Sequence, residues 1–236
     1  SALFDGIDDY ISIDGIVGDI VSDTAGTFAV WVYVNFNDST TGNVISFGDT
    51  NVNEYITLQI VSGKLACGCR NAGTLQWELD TDANIDDFNK WTHIALAQNG
   101  TEPVLYVNGV KPAQSFSTST DKTQWFNDLG ASIDNGNIGR YEWNSNDGQY
   151  FDGNICQVGI WDAALTQAQI QSIMEKTYEE LTASEKTNLV SYWALDEADG
   201  NGVLDKVDET LGSEILSNGT FDDGDTYASG GGNYFA

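Results

Sequence analysis

The stretch YEWNSNDGQYFDG, residues 141–153, carries three acids (Glu142, Asp147, Asp152), three amides (Asn144, Asn146, Gln149) and four rings (Tyr141, Trp143, Tyr150, Phe151). Carboxylates and amides are hard oxygen donors, and Ca²⁺ takes about six to eight of them. Tyr and Trp rings offer a flat apolar face with a polar edge, which suits the C–H faces of a sugar. The stretch reads as part of a metal or glycan site. The plainer reading is a polar loop whose Asn and Asp side chains bond their own turns. WELDTD, 77–82, sets Glu78, Asp80 and Asp82 at alternate positions, hence on one face of a strand. Two carboxyls about 5 Å apart, one with a raised pKa, perform retaining glycoside hydrolysis; a solvated strand face is the plainer account. Asp5, Asp8 and Asp9 form a third acidic group, with a tight turn at Asp5–Gly6 as its simpler reading. His93 is the single histidine, so a Ser-His-Asp triad would have to use it; a hydrogen-bonded, half-buried imidazole is expected instead. The sequence has no Gly-rich phosphate loop, HExxH or CxxC pair.

The elements that position these residues must come from 236 residues, enough for one large β domain, or one domain with a short appendage. Lys plus Arg number 9 against 36 Asp plus Glu, a formal charge of −27. That field repels phosphate backbones and anionic bilayers, so no nucleic-acid partner is expected. Divalent cations, neutral glycans and other proteins remain, in salty or calcium-rich surroundings that screen self-repulsion. No apolar run reaches 18 residues, so no membrane insertion is expected. No leader stretch precedes the first strand pattern, and the chain reads as mature, trimmed or cut from something longer. Cys67, Cys69 and Cys156 are expected as packed thiols, with one disulfide to Cys156 as the alternative, and not as zinc ligands.

Most of the chain predicts strands. TFAVWVYVNF is apolar on both faces, as a central strand must be. EYITLQIVSGKLACGCR turns at Ser62–Gly63. WTHIALAQNG and TEPVLYVNGVKP form a hairpin about Asn99–Gly100. ALFDGIDDYISI, NVISFGD, GNIGRYE and GNICQVGIWDAAL complete the set. Many short strands and only two prolines point to an all-β fold, a two-sheet antiparallel sandwich. Thr166 to Gln169 has the form of a capping box, with Ile170, Ile173 and Met174 at helical spacing behind it. Thr182 to Glu185 repeats the box and predicts a second short helix. LVSYWALDE, 189–197, returns to strand. From 198 to 236 the chain is acidic and Gly-rich: a tail, or the start of a further module, outside a 1–197 sandwich.

FDGIDDYISI, FAVWVYV, ISFGD, WTHIALAQNGTEPVLYVNGV and FDGNICQVGIWDAALTQAQI follow in that order over about Ala2 to Tyr178. Together they resemble the laminin-G-like and pentraxin-like branch of the concanavalin A-type lectin and glucanase sandwiches. The resemblance implies a jelly roll, with one short helix after the last core strands. ILSNGTFDD, 215–223, is similar to the first strand of a carbohydrate-binding jelly roll. The resemblance also implies calcium at one rim, held by two loops. The first reads GDTNVNEY, 48–55, where Asn53–Glu54 matches the pentraxin position; the second reads EWNSNDGQ, 142–149. One calcium ion is then expected on Asp49, Asn51, Asn53, Glu142, Asn144 and Asp147.

Tyr141, Trp143, Tyr150 and Trp125, with Phe126, fall in or near those rim loops as candidate ligand contacts, and packing is the competing role. Trp31, Trp91, Trp161 and Trp193 lie in strand patterns and are expected in the core. Glucan-cleaving relatives use a strand with alternating acids, but WELDTD departs from their pattern in its last acid and flanks. Fold alone carries no activity. Beside the Asp5 group, Cys156–Gln157 stands where relatives often have Asp–Glu.

The expected function is a non-catalytic extracellular recognition or adhesion module, binding a glycan or a surface protein with calcium shaping the rim. The alternative is a structural subunit of a cell-surface or virion-surface assembly, as a homo-oligomer or larger array. A β-glucan-acting glycosidase is a minor alternative. The sequons at Asn37, Asn99 and Asn218 matter only where the source glycosylates them.

Overall fold

The computed structural model describes residues 1–35, 41–85, 90–129, 132–197 and 203–207. In chain order the elements are β1 (Ala2–Asp5), β2 (Ile11–Ser12), α1 (Val17–Ile20), β3 (Gly26–Val34), β4 (Thr41–Gly48), β5 (Tyr55–Val61), β6 (Lys64–Asn71), β7 (Thr74–Thr81), β8 (Trp91–Gln98), β9 (Pro103–Val107), β10 (Gln114–Ser119), α2 (Phe126–Leu129), β11 (Asn135–Ile138), β12 (Tyr141–Trp143), β13 (Asn146–Gly148), β14 (Asp152–Trp161), α3 (Gln167–Ile173) and β15 (Leu189–Trp193). One antiparallel sheet runs β1-β14-β3-β8-β9, with β15 also on β14. The other runs β10-β7-β6-β5-β4-β11-β2, and β12–β13 is a separate hairpin. The fold is the expected sandwich.

β3 is central, between β14 and β8, as its two apolar faces require. Phe28, Val30 and Val32 face the opposite sheet and pack in one core with Ile45, Phe47, Leu58, Trp77 and Ile94. On the other face Ala29 joins Trp161, Leu165, Ile170 and Ile173 in a second cluster. That cluster exists because α3 covers the sheet there. α3 starts where expected: the Thr166 hydroxyl accepts from Gln169 N, and the Gln169 side chain accepts from Thr166 N. Each fully buried Ile in the cluster contributes about 2 kcal/mol of apolar burial.

Several expectations are corrected. GNIGRYE does not run as one strand, because Gly139 at φ +92° ends β11 and sends Tyr141–Trp143 into the hairpin. The Thr182 box forms, with Thr182 N donating to Glu185 at 2.8 Å, but the segment stays a turn. Glu185 is also drawn to Lys176 and Ser172. The cysteines are free thiols as expected, Cys67 and Cys69 on β6 and Cys156 on β14 of the other sheet, and the alternative disulfide does not form; burial pushes Cys156 up to about 12. Val203 is buried in the core, and Asp205 bridges to Trp193. Residues 198–202 and 208–236, with ILSNGTFDD, and the sequons at Asn37 and Asn218 lie outside the described residues. Asn99 caps its own turn, accepting from Thr101 N and Glu102 N.

His93 departs most from expectation. It is buried on β8 rather than half-exposed, edge-on to Trp31 at 5.3 Å, and its Nδ1 has no partner among the described residues. It lines a narrow crevice with Trp31, Gln157, Trp161, Met174 and Tyr192. Burial pulls its pKa down to about 3 from an ordinary 6.5. Between those values the unfolded chain holds the extra proton, so stability falls as pH drops from about 6.5 toward 3. This one group contributes at most about 1.4 kcal/mol per pH unit. In urea unfolding between pH 6.5 and 4, His93→Leu is expected to flatten that slope; an unchanged slope would contradict the buried neutral imidazole.

Candidate functional site

The β12–β13 hairpin lies against β4 and β5 on the outer face of the larger sheet. Gly48 makes room for it: a Cβ there would strike the Glu142 carbonyl and come within 3.1 Å of Trp143 Cβ. The hairpin is then tied down along its length. Asn144 N donates to Asp49 O at 2.9 Å, Ser145 N to Thr50 O at 2.6 Å, and Asn43 N to Gln149 O at 2.8 Å. Asn144 and Ser145 adopt left-handed backbone, at φ +52° and +58°, to make this turn.

Arg140 is the centre of the arrangement. Only 8% exposed, it donates to Asn137 Oδ1 at 3.1 Å, to Asp147 at 3.3 Å and to the Glu142 carboxylate. Its guanidinium lies 3.3 Å over the Tyr10 ring, and its carbonyl accepts from Ser46 Oγ at 2.8 Å. A buried cation is costly alone, and two acids, an amide and a ring face offset that cost. Tyr150 completes the group by donating to Asp147; burial, then this bond, raises the Tyr150 pKa.

The two loops expected to share calcium do meet at one end of the sheet, but their carboxylates do not converge. Glu142 and Asp147 turn to Arg140. Asp49 Oδ1 accepts from Asn51 N at 2.7 Å and Val52 N at 3.1 Å, bonding its own turn. Asp134 clamps the same loop through Thr50 N and Oγ1; burial alone would raise its pKa, and these bonds hold it below the usual value. Asn53 Oδ1 and Glu54 Oε2 are buried without donors among the described residues, two oxygens where Ca²⁺ needs about six. The six residues therefore do not fit one ion as a set. The Asp5, Asp8 and Asp9 carboxylates do cluster, within 4.8 Å, but Asp5 Oδ1 and Asp9 Oδ2 already accept amides of their own loop.

The rings divide differently from expectation. Trp125 is 1% exposed and not a rim contact: with Phe126 it packs on Phe28, where Gly26 leaves space for the indole. Trp161 and Trp193 are in the core as expected, whereas Trp31 and Trp91 are only half-buried. Tyr141 and Trp143 stack at 4.0 Å, and Trp143 meets Tyr55 at 4.2 Å. The three partly exposed rings form a row. Tyr55 itself lies over Gly68 of β6, 3.8 Å from where a Cβ would stand. Its strand alternation was the available signal for Tyr55; its pairing with Trp143 had none. On β7, Glu78 and Asp80 share the outer face as the spacing required. Glu78 accepts from Ser117 and Asp82 from Ser115. Burial, then the Glu78 charge, raises the Asp80 pKa.

A family model, Laminin_G_3, described as concanavalin A-like lectin/glucanases superfamily, matches residues 5–171. The chain belongs to this family. No curated protein sequence matches it. Solved structures share the fold of this Laminin_G_3 domain at low identity. The Ruminococcus gnavus IT-sialidase CBM40, bound to α2,3-sialyllactose, is 15% identical with a TM-score of 0.61, over 73% of this chain and 96% of that one. A Bacteroides ovatus protein provisionally assigned as carbohydrate binding is 20% identical with a TM-score of 0.60, over 90% and 60%. The leech intramolecular trans-sialidase is 18% identical with a TM-score of 0.59, over 75% of this chain and 28% of that one.

In this Laminin_G_3 domain the hairpin's position depends on Arg140. Arg140→Met keeps the bulk and removes the charge, leaving Glu142 and Asp147 facing each other. The expected cost is about 2 kcal/mol, discounted because both acids are partly exposed. Hydrogen exchange is expected to speed up at residues 141–150 and not on β3 or β14. Uniform loss across both sheets would mean that Arg140 does not act locally.

Proposed function

We propose that this domain is a non-catalytic carbohydrate-recognition module that meets its glycan at the ring row Tyr55–Trp143–Tyr141. The observation carrying this is the row itself: three partly exposed rings in mutual contact, fixed on a sheet by the Arg140 hairpin. Rings already ordered lose little side-chain freedom on binding, and the parts of the stack left exposed offer apolar surface to sugar C–H groups. The shared fold with a sialidase module bound to sialyllactose supports a carbohydrate as the partner class. The −27 charge supports an extracellular or surface setting and opposes polyanionic partners. Calcium has no part in this reading at the hairpin, where Arg140 supplies the positive charge.

One observation favours a second reading. Asp80, with its raised pKa beside Glu78, has the character of a glycosidase acid paired with a carboxylate. Hydrogen bonding of Glu78 to Ser117 and of Asp82 to Ser115 leaves these acids in a polar surface network that serves recognition equally well.

A glycan array followed by calorimetry tests the proposal. Trp143→Ala is expected to weaken binding about tenfold, the value of roughly 1.4 kcal/mol from one ring contact, in a chain that stays folded but melts lower because two ring stacks are lost. Absence of binding to every glycan would overturn it. Turnover of β-glucan that is lost in Asp80→Asn would establish the hydrolase instead.

A further inference from the structure

The sequence holds two arginines, Arg70 and Arg140, and the fold brings both to the ring row. Arg140 is the anchor of the hairpin, bonded to Glu142 and Asp147. Arg70, on β6, stands past the other end of the row. It is paired with Tyr55 of β5, and its Cζ lies 5.5 Å from the centre of the Tyr55 ring. Cys67 and Cys69 turn into the core, so strand alternation puts Arg70 on the outer face with the rings. The order along this face is Arg70, Tyr55, Trp143, Tyr141.

What Arg70 lacks is an acid. Its Nε donates to Tyr55 Oη at 3.2 Å and its Nη1 to Gly73 O at 2.7 Å, both neutral acceptors. Those bonds use two of the five N–H groups of a guanidinium. Nη2 has no acceptor among the described residues, and Arg70 makes no ion pair there. The residue is half-buried, and Nη2 is open to solvent. In a chain with 36 acids against 9 bases, an arginine without a carboxylate needs a reason.

The nearby acids are occupied elsewhere. Glu54 is buried and accepts Ala72 N at 2.9 Å. Glu78 is opposite Gly68, further along β6, and accepts from Ser117 Oγ of β10 at 2.7 Å, on the side away from Arg70. Asp80 lies further still, opposite Ala66, with Lys64 offsetting part of its charge. On β7 the residue opposite Arg70 is Leu75. A planar guanidinium fits a carboxylate with two parallel bonds, each about twice as strong as a neutral hydrogen bond. Its two neutral bonds already hold Arg70 in place, so little freedom is lost when a carboxylate arrives. The −27 field repels a polyanion far more than a single carboxylate, which restricts the partner to an isolated or terminal acid.

We infer that Arg70 receives the carboxylate of a terminal acidic sugar whose body lies along the exposed parts of Tyr55, Trp143 and Tyr141. The inference rests on the glycan reading above and adds the sugar class. Sialic and uronic acids share this chemistry, and the test separates them. Calorimetry on the full chain compares sialyl-terminated and glucuronyl-terminated oligosaccharides, each against the same oligosaccharide with its carboxylate converted to the primary amide. In at least one pair the acid is expected to bind about tenfold more tightly than its amide, by an advantage that shrinks as salt rises. The pair that shows it names the sugar. Arg70→Gln is expected to remove the advantage and leave the affinity for the amide within about twofold, which also reports an intact ring row. Arg70→Lys keeps the charge without the planar fork and is expected to retain only part of it. Equal binding of acid and amide would overturn the inference, as would a preference for the amide or an advantage that survives Arg70→Gln. So would equal loss of acid and amide binding in Arg70→Gln, which would make Arg70 a support for Tyr55 only. In each of these cases, weakening by Trp143→Ala leaves the ring row standing. A wild-type chain that binds no glycan would sink both.

Discussion

The Arg140 guanidinium is the point on which the ring-bearing face depends. It is nearly buried, always charged and rigid, so its surroundings must supply acceptors in fixed directions. Glu142 and Asp147 do so from opposite strands of one hairpin, as directly paired residues. Satisfying the cation therefore closes the hairpin, and the closed hairpin carries Trp143 onto Tyr55. A flexible ammonium would allow more than one geometry; the planar fork, stacked on Tyr10 and bonded to Asn137, allows little.

That local device works because the sandwich beneath it is rigid. The inner faces of both sheets form one apolar core, and α3 with the following turns seals the outer face of the smaller sheet. The larger sheet is left with a polar outer face, so the hairpin and the acids of β7 share a surface that the fold does not use for its own burial. Glycines shape this surface at two places. Gly48 admits the hairpin, and Gly68 admits the Tyr55 ring. A Cβ at Gly48 would hold the hairpin away from the sheet, whereas one at Gly68 would make only ordinary contact with the Tyr55 ring.

The two-fold alternation in β3 and β7 was readable because it follows from strand geometry alone. The capping box of α3 was readable because its bonds span only three residues. GNIGRYE misled because φ at Gly139 is not written in the hydrophobic pattern: a positive angle there turns one expected strand into a strand end and a hairpin start. Trp125 misled in the opposite sense. Apart from Phe126 its neighbours are polar in sequence, yet Gly26, almost a hundred residues earlier, leaves the space that buries it.

The sequence by itself determined the class of fold through its short-range periodicity, the family through the resemblance carried by its ordered motifs, and the pool of acids, amides and rings at the rim through its composition. The tertiary structure decided what each acid does. Glu142 and Asp147 are equally good as calcium ligands or as partners for a cation of the chain, and only the fold brings Arg140 within reach of both. It likewise decided that Tyr55 joins Trp143, since that contact depends on the hairpin being laid on the folded sheet. Pairing across a sheet is a long-range consequence of burial, and it turns a polar loop into half of a site.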